Sequence, residues 1–68
     1  MNNFALNLKT LRSEAGYSQQ KLAELLGVRR SAIANYESGI REPSLDTLIA
    51  ICKIFEVSTD FILGLSDK

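Results

Sequence analysis

The stretch SQQKLAELLGVRRSAIANYESG, residues 18–39, decides the fold because its pattern predicts two short helices joined by a tight turn. Ser18 is a favourable N-cap for the first helix, and Gly27 can adopt the positive φ that the turn requires. The second helix is expected to begin near Arg30 and to end at Ser38-Gly39. The apolar residues at helical spacing, through which the two helices would pack inward, are Leu22, Ala23, Leu26, Val28, Ile33 and Tyr36. This order lets the second helix leave the body at a steep angle.

Three further helices are predicted outside this stretch. The first carries Phe4, Leu8, Leu11 and Ala15 at helical spacing and stops at Gly16. Ser44 caps a fourth helix and Ser58 a short fifth one, which Gly64 ends. The residues expected on the buried face of the fourth helix are Leu45, Leu48, Ile51, Cys52 and Phe55. No segment alternates strictly between apolar and polar residues, so the chain is expected to be all-α, a compact five-helix bundle forming one domain over residues 1–68.

The composition favours a globular protein, since 46% of the 68 residues are hydrophobic and 24% are charged. No apolar run reaches the ~18 residues of a membrane span, and the N-terminus MNNFALNLKT lacks the features of a signal peptide. A cytoplasmic location is therefore expected. Cys52 is the single cysteine and is interpreted as a core residue. With no histidine beside it, we expect no metal site, and nothing indicates a cofactor or a small-molecule ligand.

Charge is distributed unevenly although the formal net charge is zero. Between Lys9 and Arg41 there are six basic and three acidic residues, a balance of +3. Between Glu42 and Lys68 there are two basic and five acidic residues, a balance of −3. The basic half can face phosphate while the acidic half faces water or a partner, although such an asymmetry also arises by chance.

The outward face of the predicted third helix carries side chains suited to contacting DNA bases. Arg30 can donate two hydrogen bonds to guanine, Asn35 can pair with adenine, Ser31 can bond either base, and Ala34 can touch a thymine methyl group. An ordinary solvated helix face is the alternative. Arg29 favours the DNA-binding interpretation over a solvated face. Arginine is a poor N-cap, and placing it there costs ~1 kcal/mol of stability. A phosphate beside Arg29 would explain why arginine is used at this position.

The run YSQQKLAELLGVRRSAIANYESGIREPSLDTLIAI, residues 17–51, resembles the helix-turn-helix domain of the phage-repressor and Cro family, also called the xenobiotic-response-element family. The resemblance extends over about residues 4–63. It implies the lambda-repressor-like fold, with the helix-turn-helix at about residues 18–38 and the third helix as the recognition helix. Two residues depart from the family pattern: Arg29 replaces a small N-cap, and Ala34 replaces a polar side chain. Both bear on which DNA sequence the protein would bind.

The resemblance also implies roles for individual residues. Gln19, beside Ser18 at the start of the second helix, would contact a phosphate and support a base contact, and the free N–H groups there attract phosphate. Arg41 corresponds to a loop that contacts phosphate. The positions that correspond to base contacts are Arg30, Ser31 and Asn35. Arg12 and Glu37 match positions that form an intramolecular ion pair, interpreted as structural.

The resemblance therefore implies a transcription regulator of bacterial or phage type, most often a repressor, that binds double-stranded DNA at the nucleoid. A homodimer on a near-palindromic site is expected, since one small module buries too little surface for tight specific binding. The candidate residues for its interface are Ile49, Ile54, Phe61 and Leu65. An enzyme is not expected, because the sequence lacks histidine, a glycine-rich phosphate loop and paired carboxylates. The alternative is a protein-interaction module of the same fold, antitoxin-like or an adaptor, that does not bind DNA.

Overall fold

The computed structural model describes residues 3–65, and this part of the chain forms five α-helices and no β-strand. The helices are α1 (Phe4–Glu14), α2 (Gln19–Leu26), α3 (Arg30–Ser38), α4 (Leu45–Phe55) and α5 (Thr59–Ile62). The expected all-α architecture is confirmed. The molecule measures 28 × 23 × 19 Å along its principal axes.

Serine side chains begin three of these helices, as the sequence predicts. The hydroxyl of Ser18 accepts a hydrogen bond from the backbone N–H of Lys21 at 2.9 Å. Ser44 and Ser58 cap α4 and α5 in the same way, at 3.2 Å and 3.0 Å. Arg29 begins α3 with extended backbone and makes no capping hydrogen bond through its side chain. α3, like α1, therefore starts without the capping hydrogen bond that stabilises the first turns of α2, α4 and α5.

The turn between α2 and α3 has the left-handed geometry expected of it. Gly27 lies at φ 70°, and the N–H of Val28 donates to the carbonyl of Ala23 at 3.0 Å. This pattern satisfies carbonyls at the end of α2 and redirects the chain within three residues. α4 ends differently, because Glu56 takes the left-handed conformation at φ 55° where a glycine is more usual.

Every helix contributes to one apolar core. Its members are Phe4, Leu8, Leu22, Ala23, Ile33, Tyr36, Leu48, Ile51, Cys52 and Ile62. The rings of Tyr17 and Phe55 lie 6.2 Å apart, which fastens the loop after α1 to the end of α4. Asn7 donates its side-chain amide to the carbonyl of Ile62 at 2.9 Å and so joins α1 to α5.

Leu45 was expected on the buried face of α4 but is exposed, so the sequence prediction was wrong for this residue. Leu45 is 69% exposed because it lies in the first turn of α4, at the edge of the stripe formed by Leu48, Ile51 and Cys52. At about 100° per residue, Leu45 falls only about 20° from Cys52, so its exposure comes from its place at the start of the helix and not from its angle around the axis. Ala15 is exposed because α1 has already ended at Glu14.

Candidate nucleic-acid interface

The first turn of α3 projects from the body of the protein. Arg29, Arg30 and Ser31 are all exposed, whereas Ile33 and Tyr36 on the opposite side are buried. α3 packs against both α1 and α2, so its orientation is set by two neighbouring helices. A helix held in this way presents a rigid polar end with two guanidinium groups.

Ala34 and Asn35 are less accessible than the sequence predicts, since both are half-buried. The chain that follows α3 folds back over this turn: the N–H groups of Ile40 and Arg41 both donate to the carbonyl of Asn35, at 3.0 Å and 3.2 Å. The same two bonds hold Arg41, whose side chain is exposed, close to the end of α3. Arg29, Arg30 and Arg41 are thus exposed cations on, or directly beside, one helix.

Gln19 lies at the start of α2 and bonds to α3 at two points. Its amide nitrogen Nε2 donates to Oε1 of Glu37 at 3.2 Å. Its amide oxygen Oε1 accepts from Nη1 of Arg30 at 3.3 Å. The half-buried amide of Gln19 therefore joins both ends of α3 to the N-terminus of α2.

The structure brings Arg12 and Glu37 together in a two-point ion pair. Nε of Arg12 donates to Oε2 of Glu37, and Nη2 donates to Oε1 at 3.0 Å. The third guanidinium nitrogen, Nη1, donates to the carbonyl of Tyr17 at 2.8 Å. The side chains are 13% and 4% exposed, so the pair is largely removed from water. The hydrogen bonds that Arg12 donates to Glu37 outweigh the effect of burial and raise the pKa of Arg12.

The four candidate interface residues at the acidic end differ in exposure. Ile49 and Leu65 are 40% and 63% exposed. Ile54 and Phe61 are half-buried, and Ile54 packs against the core. Ile49 and Leu65 are therefore the two with surface available to a partner.

No group of three or more histidine, cysteine or carboxylate side chains that could hold a metal lies among residues 3–65. That part of the chain contains no helix long and apolar enough to cross a membrane. Cys52 is buried with the core, and burial raises the pKa of its thiol.

Sequence reasoning missed the bonds that connect Gln19 to Glu37 and to Arg30. The three residues are separated by 18 and 11 positions along the chain, and no local pattern relates them. It also missed the most exposed large apolar side chain of the described region, that of Ile40, at 78%. That residue stands in the predicted loop, where apolar spacing has no meaning.

The geometry described above is that of a known domain. A family model described as helix-turn-helix matches residues 8–62. The chain belongs to this family. Among curated relatives, the SPbeta prophage-derived HTH-type transcriptional regulator YonR of Bacillus subtilis is 47% identical over 60 residues, which is 88% of this chain and 56% of that protein. The HTH-type transcriptional regulator ImmR of the same organism is 42% identical over 57 residues, covering 84% of this chain and 45% of that protein. The chain thus spans about half the length of these relatives, which are transcriptional regulators and not enzymes.

Solved structures show the same fold. The P22 c2 repressor protein in complex with a synthetic operator superposes with a TM-score of 0.87 at 24% identity, over 97% of this chain and 100% of that one. The biofilm master regulator SinR in complex with DNA superposes with a TM-score of 0.79 at 31% identity, over 88% and 97%. The expected lambda-repressor-like fold and the phage-repressor type of family are therefore confirmed.

Proposed function

We propose that this chain binds double-stranded DNA in a sequence-specific manner, with α3 in the major groove, and acts as a transcriptional repressor at the bacterial nucleoid. The observation that supports this most directly is the exposed first turn of α3, where Arg29, Arg30 and Ser31 project from a helix fixed by α1 and α2. Two solved structures of the same fold are of proteins bound to DNA or to an operator.

Base contacts and phosphate contacts are assigned to different residues. Arg30, Ser31 and Asn35 would contact base edges, with Ala34 against a thymine methyl group. Arg29, Arg41 and Gln19 would contact phosphates. The N–H groups in the first turn of α2 that Ser18 does not bond would contact phosphate as well. The side chains of Ala34 and Asn35 are half-buried, so they would reach only bases that lie close to the axis of α3.

Selection of bound sites from a random duplex library tests the proposal, followed by affinity measurements on the selected site. Replacing Arg30 with alanine should cost about 1–3 kcal/mol on that site and relax the preference at one base pair. Replacing Arg41 with alanine should weaken binding to all sequences and make the slope of log K against log salt shallower by about 1.

Lys53→Ala is the matched control for both, because Lys53 is an exposed cation on α4 in the acidic half of the chain. It should leave both the preference and the salt slope unchanged. Enrichment of no sequence, with no retention of the protein on DNA at low salt, would contradict DNA binding and favour the protein-interaction module instead.

We further propose that the protein acts as a homodimer on a near-palindromic operator. A two-fold axis would place the two copies of α3 in successive major grooves, about 34–36 Å apart. The exposed apolar side chains of Ile49 and Leu65, with the half-buried Ile54 and Phe61, offer the interface. They lie in the acidic half of the sequence, which DNA would repel.

A further inference from the structure

Four polar side chains form a continuous line of hydrogen bonds from α1 to the exposed end of α3. Arg12 donates to Glu37, Glu37 accepts from Gln19, and Gln19 accepts from Arg30. From Glu37 outward the members grow more exposed: the side chain of Glu37 is 4% exposed, Gln19 is half-buried, and Arg30 is exposed. The line therefore connects a buried charge to the side chain assigned to a base contact.

The chemistry of the line permits only one orientation of the Gln19 amide. Its NH₂ group faces the Glu37 carboxylate, which only accepts hydrogen bonds, and its oxygen faces the Arg30 guanidinium, which only donates them. A flipped amide would set oxygen against carboxylate and NH₂ against guanidinium, and both contacts would be repulsive. Glu37 itself cannot turn, because Arg12 holds both of its oxygens.

We propose that Glu37 is a positioning residue for Arg30: its carboxylate fixes the orientation of the Gln19 amide, whose oxygen then holds the Arg30 guanidinium ready for a base contact. Glu37 does not itself touch DNA. This inference rests on the proposed function for its effect on specificity, while the positioning of Arg30 is a property of the free protein.

Replacing Glu37 with glutamine tests the inference, because it keeps the size of the side chain and removes its acceptor-only character. The new amide can present NH₂ to the oxygen of Gln19, so the Gln19 amide is free to turn its own NH₂ towards Arg30. Gln19→Met is the second variant. It removes both bonds of the amide and leaves the Arg12–Glu37 pair intact, so it separates positioning from any loss of fold.

The adjacent pair on α2 provides matched controls. Gln20 donates its amide to the carboxylate of Glu24 at 3.2 Å, which is the same chemistry on an exposed surface and without an arginine attached. Glu24→Gln and Gln20→Met should therefore reproduce the chemical changes without affecting Arg30.

Two measurements follow. In the DNA-free protein, ¹⁵N relaxation of the Arg30 Nε–H group should show a lower order parameter in Glu37→Gln and Gln19→Met than in the parent and both controls.

On DNA, the preference of both variants at the base pair that Arg30 contacts should fall about two- to tenfold, the range expected for one hydrogen bond. Preferences at the base pairs contacted by Ser31 and Asn35 should stay unchanged, and in an Arg30→Ala background Gln19→Met should have no further effect on preference.

The outcomes are distinct. An Arg30 order parameter unaffected by either variant, with both folded by circular dichroism, would overturn the inference. So would a loss of affinity that is equal for all sequences and leaves the preference at the Arg30 base pair unchanged, because Gln19 would then act on DNA only through its phosphate contact. If the parent protein shows no sequence preference at all, the proposed function fails, and the relaxation measurement alone then decides whether Glu37 positions Arg30.

Discussion

At the scale of single residues, the Arg12–Glu37 pair is the polar contact that carries most for stability. Two charges this far removed from water pay a desolvation cost that their hydrogen bonds offset only while both partners are present. Glu37 accepts bonds from Arg12 and Gln19, and the third guanidinium nitrogen of Arg12 donates to the Tyr17 carbonyl. The pair thus joins α1, the following loop, α2 and α3.

Glu37→Ala should destabilise the protein by about 3–5 kcal/mol, because it leaves the Arg12 charge in a poorly hydrated position. Losing both side chains in Arg12→Ala/Glu37→Ala should cost less than losing Glu37 alone. Urea denaturation of the single and double variants gives the coupling energy. A coupling near zero would mean that the two side chains contribute independently.

Cys52 links stability to pH through its buried thiol. Burial raises the pKa of this thiol, so the folded protein keeps it neutral at a pH where the unfolded chain ionises it. This contribution is fully present below the ordinary pKa of 9.0 and is lost as pH rises from there towards the raised value. The free energy of unfolding should therefore fall more between pH 8 and pH 10 in the parent than in Cys52→Ala. An identical fall in both would show that Cys52 has no part in it.

At the scale of helices, α3 begins without a capping hydrogen bond from the side chain of Arg29, which lowers stability at the place proposed for phosphate contact. Arg29→Ser should stabilise the protein by about 1 kcal/mol, since a serine hydroxyl can accept from an N–H of the first turn of α3, as Ser18, Ser44 and Ser58 do in their helices. The same change should weaken DNA binding and make its salt dependence shallower. Thermal unfolding and affinity are measured on the same samples. A variant that gains no stability, or one that binds DNA as well as the parent, would contradict this account of Arg29.

The end of α4 offers a second change with a matched control. Glu56 holds a left-handed conformation that costs a residue with a Cβ about 1–2 kcal/mol. Glu56→Gly should recover part of this, about 0.5–1 kcal/mol, because glycine also gains entropy in the unfolded chain. Glu56→Ala removes the same side chain but keeps the Cβ, so it should bring no such gain. Equal stability of the two variants would mean that backbone strain is not the cause.

At the scale of the whole molecule, the proposed dimer depends on apolar surface at the acidic end. Leu65→Asp should weaken pairing on DNA without unfolding the protein, because Leu65 is 63% exposed. Leu6→Asp is its control: Leu6 is of the same type, is 67% exposed and lies outside the proposed interface. Footprinting on a selected site should show two half-sites protected by the parent and by Leu6→Asp, at concentrations where Leu65→Asp protects neither fully. A parent that protects one half-site, with one protein bound at saturation, would contradict the homodimer.

Helix boundaries could be predicted from the sequence because their causes are local. Ser18 and Ser44 bond to N–H groups three residues away, and Gly27 turns the chain by its own backbone geometry. The fold class followed from these signals and from apolar spacing. The Arg12–Glu37 pair was expected only through the resemblance to a family, since spacing alone cannot relate positions 25 residues apart.

Sequence alone thus determined the five helices, the turn between α2 and α3, and the residue types offered on the first turn of α3. Only the tertiary structure decided which of those side chains are accessible and what holds them. Asn35 is half-buried at the point where the chain after α3 returns to its carbonyl, and Leu45 is exposed because it lies in the first turn of α4, ahead of the residues through which that helix packs. The line from Arg12 to Arg30 exists because α1, α2 and α3 meet around Glu37. Contacts of this kind depend on how helices pack against one another, and that packing is settled by the whole core at once and not by any single segment.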